Sequence, residues 1–249
     1  MKKIVLFITI FCIPFFGIAQ TTAEKKVNDR SWNYSVTPYL WMSSLKGDMT
    51  VLRKDVPIDL QFTDEIISNL KMVGMIHAEA KHNRLLIMLD ASYASLDAKG
   101  KVKKTIRNHS VGLKIKQTVI EGGLGYTFAQ HNDFTLDVLA GARYFNMNMD
   151  VEFNGNEILG KDFNFVDPYV GMRFKNDWGK WAVGGRFDVG GFGVGSEISY
   201  KYNALIAYQF TDLFGLTLGY QAYKPNYQEE RFKYNIGNEG FLLGFIFNL

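Results

Sequence analysis

Cysteine is nearly missing from this 249-residue chain, Cys12 being the only one. No disulfide framework can staple the fold, and no thiolate cluster can hold a metal. The four histidines, His77, His82, His109 and His131, fall at no metal-ligand spacing, so neither a metal nor a cofactor is expected. Excess charge of one sign is lacking too: 28 basic residues against 25 acidic ones give no basic surface for nucleic acid. Past the N-terminus, no apolar stretch approaches the roughly 20 residues of a spanning helix. With only five prolines against 24 glycines, the composition suits closely paired, curving strands better than disorder.

What is present begins with Met1-Lys2-Lys3, an apolar run from Ile4 to Ile18, and Gly17-Ile18-Ala19. That order predicts a secretory signal peptide over residues 1–19, cut after Ala19 and taking Cys12 with it. Residues 20–30 are polar and aperiodic and predict a flexible lead-in; residues 31–249 are the folded unit. An exported chain that is 15% aromatic and has no helical span has the composition of an outer-membrane barrel. A secreted β-sandwich is the soluble competitor.

The closing run decides the pattern. Phe241, Leu243, Phe245, Phe247 and Leu249 share one parity while Gly240, Gly244 and Asn248 share the other, which is a strand with one aromatic face. Its second edge is expected to pair with the first strand, residues 31–43, because closure removes an exposed edge. Residues 44–70 break the rhythm: Gly47-Asp48 reads as a turn, residues 49–60 as a short hairpin, and Thr63-Asp64-Glu65 with Ile66, Ile67 and Leu70 as a capped helical turn. This connection is placed over or in the mouth of the barrel. Regular hairpins follow: 72–81 with 84–96, 110–128 with 133–151, 162–175 with 180–189, and 197–210 with 213–223. Their turns are short, at His82-Asn83, Gln130-His131-Asn132, Asn176-Asp177-Trp178-Gly179 and Thr211-Asp212, while residues 97–109, 152–161, 190–196 and 224–238 form longer polar connections. Short turns at one end and long loops at the other are the asymmetry of a transmembrane barrel, with short turns and both termini periplasmic. The fold class is therefore all-β, a closed antiparallel transmembrane β-barrel of about ten strands, with eight or twelve as the alternatives.

Parity also assigns the faces. Phe134, Leu136, Val138, Ala140, Ala142 and Tyr144 alternate with Thr135, Asp137, Gly141 and Arg143; Pro168, Val170, Met172 and Phe174 alternate with Asp167, Gly171 and Arg173. The apolar parity is expected to meet lipid and the charged, glycine-bearing parity the lumen. Tyr126, Phe128, Phe134, Phe174, Trp178, Trp181, Tyr208, Phe210 and Phe214 cluster beside the short turns as an aromatic girdle. Lys114 and Lys116 share parity with Ile120 and Leu124, so either a bulge intervenes or the lysines rise above the membrane.

Thr37-Pro-Tyr-Leu-Trp41, Gly47-Asp48, Ile58-Asp-Leu-Gln-Phe-Thr-Asp64, Val166-Asp-Pro-Tyr-Val-Gly-Met-Arg173, Asp188-Val-Gly-Gly-Phe-Gly-Val-Gly-Ser196 and Gly219-Tyr220 follow one another along most of the chain. This pattern resembles a large, functionally uncharacterised family of Gram-negative outer-membrane β-barrel proteins. The resemblance implies the barrel fold, the outer-membrane location and recognition by the outer-membrane assembly machinery. It brings no activity. The chain departs from the family in closing on Leu249, where a terminal aromatic is usual, with Phe247 nearby.

On the inferred inner face lie Glu79, Asp90, Glu121, Asp137, Asp167 and Asp188, with Arg143, Arg173, Arg186 and Lys201 to face them. Unpaired charge away from water is costly, so these groups are expected to form a neutralising network. It either fills the barrel or lines a narrow path for small polar solutes. Membrane lipid is the expected surroundings, and nucleic acid is no partner. Gly190 to Gly195 carries no following Lys-Ser or Lys-Thr pair and reads as a tight or infolded loop rather than a phosphate cradle. No catalytic residue is assigned: His109 and Ser110 are adjacent on a strand and point to opposite faces. An outer-membrane lipid-modifying enzyme, in which His77 and Glu79 share the inner face, and a loop-mediated binding protein are the alternatives. The barrel reading predicts β-rich circular dichroism and heat-modifiable gel migration in detergent; a soluble monomer with unshifted migration overturns it.

Overall fold

The computed structural model describes residues 31–51, 54–62, 69–104, 107–153, 156–230 and 232–249. The signal peptide, the lead-in and the capped turn expected from Thr63 lie outside the described residues. The strands are β1 (Asn33–Val51), β2 (Lys54–Leu60), β3 (Leu70–His82), β4 (Leu85–Lys104), β5 (Arg107–His131), β6 (Phe134–Phe153), β7 (Asn156–Trp178), β8 (Trp181–Gly190), β9 (Ile198–Gln209), β10 (Phe214–Glu229) and β11 (Phe232–Asn248). All neighbours are antiparallel, and all are adjacent in sequence except where β3 pairs with β1 past β2 and where β11 returns to β1. That closing ladder runs from Ser35↔Asn248 to Val51↔Phe232. Ten strands, β1 and β3 to β11, make the cylinder. β2 pairs with the far end of β1 alone, from Leu45↔Leu60 to Val51↔Lys54, and is an arm rather than a stave.

The turns form where the backbone can take positive φ: Asn83 (52°), Asn132 (51°) and Gly179 (61°) stand in three of the four short turns, and asparagine and glycine tolerate that region best. The long polar connections differ from the expectation. β4 and β5, β6 and β7, and β10 and β11 simply continue as paired strands, with ladders reaching Lys104↔Arg107, Phe153↔Asn156 and Glu229↔Phe232. Beyond an apolar belt both faces of a hairpin can be wet, so polar residues there change the face pattern without ending the strand. Of these four connections, only the one at residues 191–197 leaves the ladder over more than a tight turn among the described residues. Gly47-Asp48 is likewise no turn. Gly47 lies inside β1 at φ 151°, and a Cβ there would run into the Asn235 carbonyl, so the glycine serves the close approach of β1 to β11.

Lys114 and Lys116 pair without interruption opposite Asp150 and Asn148, and the one register shift in β5 beyond the far tip falls at Thr127/Ala129. The lysines therefore stand above the apolar belt, next to outward asparagines, and no bulge intervenes between them and Ile120. Below them the outward faces are apolar and exposed: Leu89, Ile120, Leu124, Val138, Val170, Met172, Phe187, Leu218 and Phe245. The expected girdle rims the short-turn end, with Trp181 against Tyr208 at 4.7 Å, Tyr208 against Phe210 at 5.0 Å and Phe210 against Phe214 at 5.6 Å between ring centroids.

The interior is divided along the axis. Toward the long hairpins, inward residues of β1, β5, β6, β7, β10 and β11 meet in an apolar core of Met49, Val119, Phe145, Met147, Met149, Phe163, Phe165, Phe232 and Tyr234. Phe145 is central, its ring stacked 5.0 Å from that of Phe165 and tilted 5.7 Å from that of Tyr234. The charged residues occupy the other half. Since Val138 and Val170 face outward while Thr135 faces in, Val138→Arg and Val170→Arg should each cost roughly 2–4 kcal/mol in a bilayer. Thr135→Arg should be tolerated better. Equal tolerance at all three sites in a refolding titration into lipid vesicles contradicts the face assignment.

Candidate functional site

Strand register places acids opposite bases before any side chain is considered. Glu121 stands opposite Arg143, Arg143 opposite Asp167, Asp137 opposite Arg173, and Asp188 opposite Lys201. Cross-strand pairs on one face bring such groups into contact. All ten charged residues expected on the inner face are there; nine form two groups, and Asp167 is held apart from both.

The deeper group centres on Arg143, which has no solvent exposure. Its Nε donates to Glu121 Oε2 and its Nη2 to Asp188 Oδ1, both at 2.8 Å. Arg186 Nη1 pairs with the other oxygen of Glu121, and its Nη2 lies 2.7 Å from Asp188 Oδ2, a charge contact off the hydrogen-bond line. Lys201 Nζ donates to Glu121 Oε2 at 3.2 Å. Two carboxylates thus hold three cations. The guanidinium groups of Arg143 and Arg186 each lie 5.0 Å from the centre of the Tyr169 ring, and Arg143 also covers the Tyr223 ring at 4.7 Å; such contacts favour a desolvated cation. Room for Tyr169 comes from Gly123 on β5 and Gly141 on β6, where a Cβ would strike the tyrosine hydroxyl.

Asp167 takes no part in that cluster, although the ladder sets it opposite Arg143. Its Oδ1 accepts from the Ser196 N–H and its Oδ2 from Ser196 Oγ, each at 2.7 Å. The glycine-rich run after β8 therefore folds inward and grips a carboxylate belonging to the barrel itself.

The second group lies nearer the short turns. Arg173 donates to Asp137 Oδ2 at 2.9 Å and to Glu79 Oε1 at 2.7 Å, and Thr127 Oγ1 donates to the other oxygen of Asp137. His77 bridges two carboxylates, with Nε2 3.0 Å from Glu79 Oε1 and Nδ1 3.1 Å from Asp90 Oδ2. The Tyr39 hydroxyl donates to Asp90 Oδ1 at 2.9 Å. This group borders a cavity of about 510 Å³ that reaches the short turns at Gly179 and Asp212, lined by Thr37, His77, Glu79, Asp90, Arg173 and Lys201 among others.

Chemically the arrangement balances charge and leaves little in a reactive posture. His77 meets a carboxylate at each ring nitrogen, so neither nitrogen is open to take a proton from a nucleophile. Among the described residues no group of His, Cys, Asp and Glu converges as a metal site. The side chains of His109 and Ser110 lie outside the described residues. Sequence reading missed three contributors: Thr127, Ser196, and the apolar core capping the deep cluster. Parity signalled two of them: Thr127 continues that of Glu121, while Phe145, Met147 and Met149 continue that of Arg143, and Phe163 and Phe165 that of Asp167.

The chain is similar in structure to the outer membrane protease OmpT from Escherichia coli, at 9% identity over 87% of this chain and 97% of that one, with a TM-score of 0.52. It also matches the translocator domain of autotransporter NalP from Neisseria meningitidis, at 8% identity over 89% of this chain and 90% of that one, with a TM-score of 0.45. No protein-family model matches the chain, and no curated protein matches it as a relative. The likeness to OmpT is one of fold, that of an outer-membrane β-barrel.

Removing one partner of a buried ion cluster strands the others. Glu121→Gln should destabilise the barrel by roughly 3–5 kcal/mol, because it leaves three cations to Asp188, and adding Arg143→Met should recover part of that loss, since the two residues are coupled. Ser196→Ala should cost about 1–3 kcal/mol, the toll of an under-satisfied Asp167. Denaturant titrations of the refolded variants read all three; strictly additive losses for Arg143 and Glu121 contradict the coupling.

Proposed function

We propose that this chain is an integral outer-membrane β-barrel, exported by its signal peptide, that is filled and non-enzymatic, and that its polar cavity is a blind vestibule opening to the periplasm. The observation carrying this reading is the occupied cross-section at mid-barrel. Arg143, Asp188, Glu121 and Tyr169 are closed off from solvent there, with Phe145 and its aromatic neighbours immediately beyond. A wide general porin needs an aqueous lumen, which takes more strands than ten. A narrow conducting path would have to part ion pairs that are costly to separate when buried. The engagement of both His77 nitrogens supports a structural rather than a catalytic role for the only histidine in the cluster.

The vestibule has a volume typical of small-molecule sites, and both charge signs line it. A small polar solute from the periplasm can enter it without crossing the barrel. Planar-bilayer recording tests the proposal. The purified barrel should be electrically silent, and Arg143→Ala combined with Phe145→Ala should produce discrete conductance steps. Steady large conductance in the unaltered protein overturns the filled barrel. Small charge-selective currents altered by Arg143→Ala or Arg173→Ala replace it with a narrow channel.

A further inference from the structure

The wall has an interval where β1 holds a neighbour on one side only. β1 pairs with β3 from Asn33↔Lys81 to Pro38↔Ile76 and with β2 from Leu45↔Leu60 onward, while its ladder to β11 continues through Tyr39, Leu40, Trp41, Met42, Ser43 and Ser44. Among the described residues no β3 residue is paired with those six. At the gap the Trp41 backbone N–H turns to Met75 Sδ at 3.3 Å, a weak acceptor in place of a carbonyl.

Behind the gap lies a pocket of about 60 Å³ lined by Trp41, Leu45, Leu70, Met75, Ile115 and Asn238. Tyr93, on the outward parity of β4, also borders it. Two polar atoms in this apolar setting have no hydrogen-bond partner: Trp41 Nε1, a donor, and Asn238 Oδ1, an acceptor. Their side chains belong to residues only 7% and 5% exposed. Buried polar groups are ordinarily satisfied, and this pair complements a group that both accepts and donates. The space admits about four methylene- or hydroxyl-sized groups. Outside, the gap opens on apolar surface: Met72 and Ile76 are exposed on β3, and Met42 pairs with the exposed Phe241. The outward face turns polar only at Ser44↔Glu239.

We propose that the interval between β1 and β3 is a lateral portal for an acyl amphiphile of the bilayer that carries a carbonyl and a hydroxyl beside its chain. The carbonyl accepts from Trp41 Nε1–H and the hydroxyl donates to Asn238 Oδ1, which together fill the pocket, and the chain runs past Met75 through the gap into the membrane. This rests on the membrane-embedded reading above.

The test uses tryptophan quenching by bromine, which acts at short range. In phosphatidylcholine vesicles with brominated chains, Trp178 and Trp181, exposed on the girdle, report embedding. A variant carrying Trp32→Phe, Trp178→Phe and Trp181→Phe leaves Trp41 as sole emitter, and a chain-brominated monoacylglycerol is added as the probe. The expected result is saturable loss of Trp41 emission, reached at lower mole fraction than with the brominated fatty acid methyl ester, which lacks the hydroxyl. Asn238→Leu should erase that preference. Quenched girdle tryptophans with an unquenched Trp41 overturn the portal and leave the embedding intact. Unquenched girdle tryptophans overturn both. Equal quenching by the two esters overturns recognition of the hydroxyl. Should the triple variant not fold, the difference in emission between the unaltered protein and Trp41→Phe gives the same reading.

Discussion

A guanidinium shut away from water has to be surrounded by opposite charge, and in this barrel the demand made by Arg143 governs the position of everything near it. Glu121 and Asp188 reach it from strands on either side, Tyr169 and Tyr223 cover its faces, and Arg186 and Lys201 share the carboxylates that remain. Buried ion clusters of this kind add little net stability compared with an apolar filling. Their contribution is a single permitted arrangement. A one-residue slip of β6 against β5 would turn Arg143 outward and take from Glu121 and Asp188 the cation they share, since successive strand residues point to opposite faces.

The two halves of the interior follow from where that cluster sits. On the long-hairpin side, aromatic and methionine side chains pack to near-complete burial, and the cross-section is dry. On the other side, the Arg173, His77 and Asp90 group borders open space, so polar side chains there keep some access to water. The Ser196 clasp on Asp167 joins the halves from outside the ladder. It removes from the cluster the one carboxylate that would otherwise compete for Arg143.

The closed barrel, the pairing of last strand with first, and the two faces were legible because all three are consequences of period-two alternation, and alternation survives in a bare sequence. Val138, Val170 and Trp181 face out and Asp137, Arg143 and Asp188 face in, as their parity implies. The length of the strands was not legible. Polar residues in 97–109 or 152–161 look like loops when the belt's edge is unknown, because a hairpin standing in water obeys no face rule. Gly47 misled for a related reason: glycine marks turns and also close approaches, and the neighbour that distinguishes them, Asn235, lies far along the chain. Within the site, the inward residues were readable, but their partners were not. Nothing local tells that Asp167 will be claimed by Ser196 instead of by the arginine opposite it.

β1 is bound unequally to its two neighbours. Its ladder with β11 is long and is finished by the Leu249 N–H to the Tyr34 carbonyl at 3.0 Å, whereas its ladder with β3 stops at Pro38. In mechanical terms the cylinder is a split ring whose slit does not coincide with the joint between its chain ends. Squeezing or widening such a ring concentrates deformation at the slit, and the terminal joint stays fastened while the circumference changes. A barrel with its interior packed solid on one level can in this way still yield on another.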